Sequence, residues 1–206
     1  MPVEPAATAI LLSNEGVIVT TTYLEQRSPD DLVPAREPSL PASITRVDDL
    51  APEFSRFLYT AVGGDWHWLN RLPWTLQQWT DWLSRPGAED WVAWVKGAPA
   101  GYVELDAATH DDGTHAEIAF FGLLPRYTGR GLGGRLLAHG ITKAWTLHER
   151  FPELPRVTRV WVHTCTLDGP HALANYHARG FRTYRTEEKD ETVPDIPVGP
   201  WPGARS

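Results

Sequence analysis

Apolar positions along the chain follow two periods, and the switches between them set out its elements. Alternation or short apolar runs rich in β-branched and aromatic residues mark strands at residues 16–24, 42–47, 91–96, 100–106, 115–124, 157–164 and 181–189. Spacing of three and four marks amphipathic helices over residues 51–62, 75–83, 132–150 and 171–179. Turn chemistry separates them. Asp48 or Asp49 is expected to cap the first helix, Thr75 the second and Asp168 the fourth, with Pro170 in its first turn. Gly63-Gly64, Pro86-Gly87 and Gly180 close helices, and Gly97-Ala98-Pro99 joins two strands as a hairpin. The order strand, helix, helix, three strands, helix, strand, helix, strand, after one N-terminal strand, predicts an α/β or α+β domain with a mixed sheet.

One stretch, residues 115–137, stands out. Its strand carries Glu117 as its only formal charge, and Pro125 then removes a backbone donor and stops it. Gly129, Gly131, Gly133 and Gly134 follow, at the start of the third helix, with Arg126 and Arg130 among them. A helix start offers unpaired N–H groups and a positive dipole end, and glycines let a ligand reach the bare backbone. The expected ligand is an anion.

Composition narrows the rest. At 206 residues the chain is most economically one domain with extensions. Residues 1–41 read as an N-terminal extension and linker, residues 42–190 as the main domain, and residues 191–206 as an irregular or disordered tail. The N-terminal strand either pairs across a homodimer or covers the edge of its own sheet. A net charge of -7 with scattered Lys and Arg argues against a nucleic-acid partner. A single cysteine, Cys165, forms no internal disulfide, and the apolar start at residues 1–12 lacks a basic segment before it. No segment has the length of a membrane span, so a cytoplasmic protein with no membrane partner is expected. The histidines show no metal-ligand spacing, and no metal is expected.

The run Gly129-Arg130-Gly131-Leu132-Gly133-Gly134 fits a dinucleotide fingerprint as a bare pattern. Its setting does not, because Pro125 to Thr128 intervene after the strand, and the next strand ends His163-Thr164-Cys165-Thr166 without the acidic residue such a site uses. The same residues resemble the acyl-CoA loop of the GNAT superfamily of N-acetyltransferases: Arg126, then Gly129 and Gly131, preceded by Leu124-Pro125 and followed by Leu132-Gly133. A second element, Ala172 to Phe181 with Tyr176 four residues before Gly180, resembles that family's motif of alanine, tyrosine and terminal Gly-Phe. The resemblance spans residues 42–189, with one departure: Gly169 stands where an asparagine is common.

The resemblance implies a GNAT-like fold, a mixed and mostly antiparallel twisted sheet flanked by helices with an acyl-CoA cleft. It implies acetyl-CoA as co-substrate, held by the loop's backbone at Arg126, Gly129, Arg130, Gly131, Leu132, Gly133 and Gly134. The strand end at Phe121, Gly122 and Leu123 would align the pantetheine and polarise the thioester. It implies Glu117 as general base and Tyr176 as the acid that protonates the departing sulfur. The alternatives from the residues themselves stay open: Glu117 facing solvent or pairing with Lys96 or an arginine, and Tyr176 serving in packing. Trp66, Trp68 and Trp74 cluster in the loop after the first helix, either filling core or holding a cationic acceptor. The activity implied is transfer of an acetyl group to a primary amine of a small molecule or peptide. A non-catalytic acyl-CoA-binding module is the alternative.

Overall fold

The computed structural model describes residues 16–194, 197–201 and 204, so the apolar start at residues 1–12 lies outside the described residues. Among these residues the chain forms one seven-stranded sheet and four α-helices. The strands are β1 (Val17–Gln26), β2 (Ser43–Arg46), β3 (Glu89–Val95), β4 (Ala98–His110), β5 (Gly113–Leu123), β6 (Val157–Cys165) and β7 (Arg182–Glu191). The helices are α1 (Pro52–Gly63), α2 (Leu76–Leu83), α3 (Leu132–Trp145) and α4 (Ala172–Ala178). The spatial order is β2-β3-β4-β5-β6-β1-β7, and every neighbouring pair is antiparallel except β5 with β6. The expected mixed, mostly antiparallel sheet flanked by helices is the fold.

The strand set apart as an N-terminal extension lies inside this sheet. β1 pairs with β6 from Thr21↔Cys165 to Gln26↔Val160 and with β7 from Val17↔Glu191 to Glu25↔Arg182. Both of its edges are therefore filled by strands of its own chain.

Alternation along each strand sends one set of side chains under α3. Val103, Leu105, Ala116, Ile118, Val160, Val162 and Leu24 meet Leu132, Leu136, Leu137 and Ile141, all at most 2 % exposed. Burying each such side chain is worth about 1.5–3 kcal/mol. On the opposite face α1 and α2 bring Leu58, Tyr59, Val62, Trp79 and Leu83 against Val92, Tyr102 and Phe120. On that same face β6, β1 and β7 leave His163 and Tyr184 exposed.

Several local expectations differ from the structure for identifiable reasons. α1 begins at Pro52 behind Ala51 with no side-chain cap, since proline at the first position has no N–H to satisfy. Thr75 does cap α2, in a reciprocal box with Gln78. The β3–β4 turn is Lys96-Gly97, both at positive φ, which fits a two-residue turn, so Ala98 and Pro99 already belong to β4. β4 also runs on to His110, through residues expected as loop, because a tight Asp111-Asp112 turn lets polar residues pair beyond the core. α3 stops at Trp145. Arg150 donates to the Thr146 and Lys143 carbonyls at 3.1 and 2.7 Å, satisfying the helix end while it pairs with Glu89. Asp168 caps no helix; it accepts from Thr164 Oγ1 and Cys165 N at the end of β6, and α4 starts after His171.

Two irregular segments close over the domain. The connection from β1 to β2 crosses the α4 and α3 ends, where Val33 N donates to Arg179 O, Glu37 pairs with Arg135, and Ser39 N donates to Arg130 O. Beyond β7, Gly199 N donates to Gly64 O and Pro194 O lies 2.9 Å from His67 Nε2, so this part of the tail packs on the loop after α1.

Candidate active site

β5 and β6 run parallel only from Thr114↔Val157 to Glu117↔Trp161; beyond that point they part. β5 stays bonded to β4 through Leu123↔Gly101, so its last residues present their other edge to the gap. A bulge at Ala119 accompanies the parting, since Glu104 pairs with Phe120 while Leu105 pairs with Ile118. Phe121, Gly122 and Leu123 line the mouth of the gap, and Gly122 has no room for a side chain: a Cβ there would stand 2.5 Å from Val62 Cγ1 of α1.

The polypeptide then turns through Pro125–Tyr127 into the glycine loop. Gly131 is the residue that starts α3, in the left-handed region at φ 82, and a Cβ on it would lie 3.3 Å from Pro38 Cα. A side chain here is disfavoured by both backbone and neighbour. Gly129, at φ 73, is exposed with open space around it. Leu132 is fully buried, so only its backbone faces the loop, whereas Arg126, Arg130 and Arg135 stand exposed around it. Gly133 and Gly134 are half-buried in the first turn, Gly133 beneath Leu123 and Phe121 and Gly134 near Ala35 and Asn175. A helix start with no side-chain cap, two glycines at positive φ that leave the backbone bare, and flanking guanidiniums suit a diphosphate on an extended arm.

Glu117 sits just before the parting, on the face not covered by α3, with 17 % of its side chain exposed. Its Oε1 lies 3.1 Å from His163 Nδ1. Glu117 is thus paired, with neither Lys96 nor an arginine but with a histidine two residues along β6 from its register partner. The hydrogen bond to Glu117 holds His163 above its ordinary value, outweighing the partial desolvation of a ring that is still 48 % exposed. Tyr176 is 6 % exposed and meets the Phe121 ring edge-on at 6.2 Å and Phe181 at 6.0 Å, which brings α4 to the strand end at the gap. Burial, with Asp168 adding, pushes its phenol well above the ordinary range and keeps it protonated.

The three tryptophans separate. Trp68 packs under Gly63 and against Phe120 at 4.8 Å and Tyr59 at 5.5 Å. Trp74 forms one wall of a box around Arg71, with Trp79, Trp82 and Phe120 as the others at 4.2 to 5.5 Å. Inside that box Arg71 lies 2.8 Å from Glu104 Oε1, to which Trp82 Nε1 also donates. Trp66 alone reaches across to the far side of the gap, its ring 3.4 Å from where a Gly169 Cβ would be. The missing asparagine therefore has a physical counterpart: a side chain at Gly169 would meet Trp66. Sequence reading missed His163 and the Pro38-Ser39 contact with the loop. The alternation Arg159, Trp161, His163 opposite Val160 and Val162 signals a second face on β6, but the β5–β6 register that joins it to Glu117 carries no sequence mark.

A seven-stranded sheet whose parallel pair parts beside a glycine-started helix is the architecture that the resemblance to the GNAT superfamily implies. The chain belongs to the acetyltransferase (GNAT) family, whose model matches residues 47–181 and so does not include β1. Among solved structures it resembles a GCN5-related N-acetyltransferase from Kribbella flavida, at 18 % identity and TM-score 0.55 over 87 % of this chain and 60 % of that one. It also resembles one from Sphaerobacter thermophilus, at 14 % identity and TM-score 0.51 over 91 % and 56 %. A tandem GNAT protein from the clavulanic acid biosynthesis pathway aligns at 18 % identity and TM-score 0.53 over 88 % and 53 %. The chain thus spans a little over half the length of these proteins, and they share its fold. A comparison with curated protein sequences returns no match. Among the described residues no helix is long and apolar enough to cross a membrane, and no group of His, Cys, Asp or Glu is arranged to hold a metal ion.

Proposed function

We propose that the chain transfers an acetyl group from acetyl-CoA directly to a primary amine of a small molecule or peptide. The observation that carries this reading is the placement of Glu117 at the point where β5 and β6 part, with Tyr176 against the strand end beyond it. The backbone of Gly129 to Gly134 and the arginines 126 and 130 hold the diphosphate, while Phe121 to Leu123 align the arm and polarise the thioester carbonyl. Glu117 takes a proton from the acceptor ammonium, directly or through a water it orients. The freed amine attacks the carbonyl carbon, the carbon–sulfur bond breaks with its electron pair on sulfur, the sulfur takes the Tyr176 proton, and the attacking nitrogen releases its second proton, which restores Tyr176 through solvent. Trp66, at the edge of the gap, bounds the acceptor side, while Trp68 and Trp74 act in packing behind it.

The test is turnover against cofactor affinity. Glu117→Gln and Tyr176→Phe should each cut thiol release with a panel of primary amines by about 10²-fold or more, and acetyl-CoA binding by calorimetry should stay near wild type. Unchanged thiol release in both variants would overturn the roles given to Glu117 and Tyr176, whereas acetyl-CoA binding with no thiol release by the wild type across the panel would leave an acyl-CoA-binding module without transfer.

A further inference from the structure

We propose that His163 is the positioning residue for the base of acetyl transfer: its Nδ1–H fixes one oxygen of Glu117 and leaves the other to accept the amine's proton. This rests on the reading of Glu117 as base.

Strand register creates the pair. Glu117 stands opposite Trp161, and because β6 departs from β5 just there, its carboxylate reaches forward to the next residue on the same face, His163, at 3.1 Å. The imidazole is held on two sides. Trp161 stacks on it at 6.0 Å and 29°, and Tyr23, its register partner on β1, lies at 6.0 Å and 35°. Tyr23 is in turn fixed from β7, where its hydroxyl donates to Glu187 Oε2 at 2.9 Å and Arg185 lies over its ring. A ring clamped this way confines the carboxylate it bonds, and a base must be held within hydrogen-bond reach of the proton it takes.

The bond also fixes the tautomer. An ionised carboxylate only accepts, so Nδ1 carries the hydrogen, and Nε2 is the atom that titrates. With Nε2 bare, Glu117 Oε2 is free to receive the proton: the ammonium N–H bond breaks, its electron pair stays on nitrogen, and the proton is bound at Oε2. With Nε2 protonated, the two form an ion pair, and the carboxylate gives up that role. The charged and titratable groups around the ring are Glu117 on β5, Tyr23 on β1, Arg185 and Glu187 on β7, and Asp168 in the loop after β6. Glu117 first and Asp168 last favour the imidazolium, so the switch falls above the ordinary histidine range.

Three variants test this with the best acceptor from the amine panel. His163→Phe keeps the bulk and removes the donor; kcat/KM should fall about tenfold to a hundredfold, a part of what a placed base supplies, with acetyl-CoA affinity unchanged. His163→Asn places an uncharged donor near the Nδ1 position; it should recover most of the rate and lose the acid limb of the pH profile that His163 contributes. If His163→Phe fails to fold, the Asn variant and a direct titration carry the test. Nitrogen-15 NMR of the His163 ring should show a midpoint above the ordinary value in the wild type that drops in Glu117→Gln. Undiminished turnover in Glu117→Gln overturns the base reading itself. An inactive Glu117→Gln beside His163→Asn and His163→Phe proteins with wild-type rate and pH profile overturns the role of His163 alone, as does a midpoint that Glu117→Gln leaves in place.

Discussion

Ser39 donates both its backbone N–H, at 3.1 Å, and its hydroxyl, at 3.4 Å, to the carbonyl of Arg130. The connection between β1 and β2 is thereby tied to the loop proposed to carry the cofactor's diphosphate, and Pro38 stands where a side chain on Gly131 would begin. Ser39→Pro removes both donors. A hydrogen bond is worth about 1 kcal/mol, roughly fivefold in an equilibrium constant, and the longer hydroxyl bond adds less, so acetyl-CoA should bind about fivefold to tenfold more weakly by calorimetry. Affinity equal to wild type would mean that the loop holds its shape without this tie.

Gly131→Leu should abolish acetyl-CoA binding. The position requires a left-handed backbone, which costs a residue with a Cβ about 1–2 kcal/mol, and the new side chain would start 3.3 Å from Pro38 Cα. A calorimetric titration of the folded variant reads the result, and an unchanged isotherm would move the diphosphate site elsewhere.

The box around Arg71 predicts a strongly non-additive pair. Arg71 and Glu104 are 3 % and 1 % exposed, and four aromatic rings surround the guanidinium. Arg71→Met leaves a buried carboxylate without its partner and should lose about 3–5 kcal/mol in urea unfolding. Adding Glu104→Gln to it should restore most of that loss, because Trp82 Nε1 can still donate to the amide oxygen. Additive losses would show that the packing of the box, rather than the charge pair, carries the stability.

Asp90 gives a pH dependence with a definite sign. Fully buried, it accepts a 2.7 Å bond from Ser55 on Oδ2, while its Oδ1 has no hydrogen-bond partner among the described residues. Burial first, then the neighbouring Glu104, raises it well above the ordinary carboxylate value. The folded protein therefore holds this proton to higher pH than the unfolded chain does. Its contribution is complete below the unfolded value and is lost as pH rises through the folded one. Asp90→Asn, which keeps an acceptor for Ser55, should gain on the wild type as pH is raised from 4 to 8, measured as urea midpoints; parallel curves would contradict it.

Much of this arrangement could be read from the chain. Periods of two and 3.6 placed all the strands and helices, because burial against α3 on one face and α1 and α2 on the other dictates them. The loop of Gly129 and Gly131 was visible because its chemistry is local: a strand, a proline, glycines and a helix. What was hidden depends on register. Nothing local in Val17–Gln26 says that it enters between β6 and β7, since its pairing partners are the chain's most distant strands. The partner of Glu117 was hidden for the same reason: Lys96 and the arginines are matched by charge, whereas His163 is matched by where a parallel pair stops. The β4–β5 hairpin reads short because the run Ala107 to Thr114 is polar, although its backbone pairs out to His110↔Gly113.

The position of β1 has a consequence in time. β1, the earliest of the described strands to be synthesised, can be clasped on both edges only when β7, the latest of them, has been made, because Val17 pairs with Glu191. Loop closure over such a separation is slow compared with hairpins like β4–β5. The half of the molecule from β2 to α3 can therefore assemble early, with its glycine loop formed, while Tyr23 reaches His163 late. Acetyl-CoA binding should return in refolding before turnover does, so a newly folding chain holds its cofactor before it has a finished place for the amine.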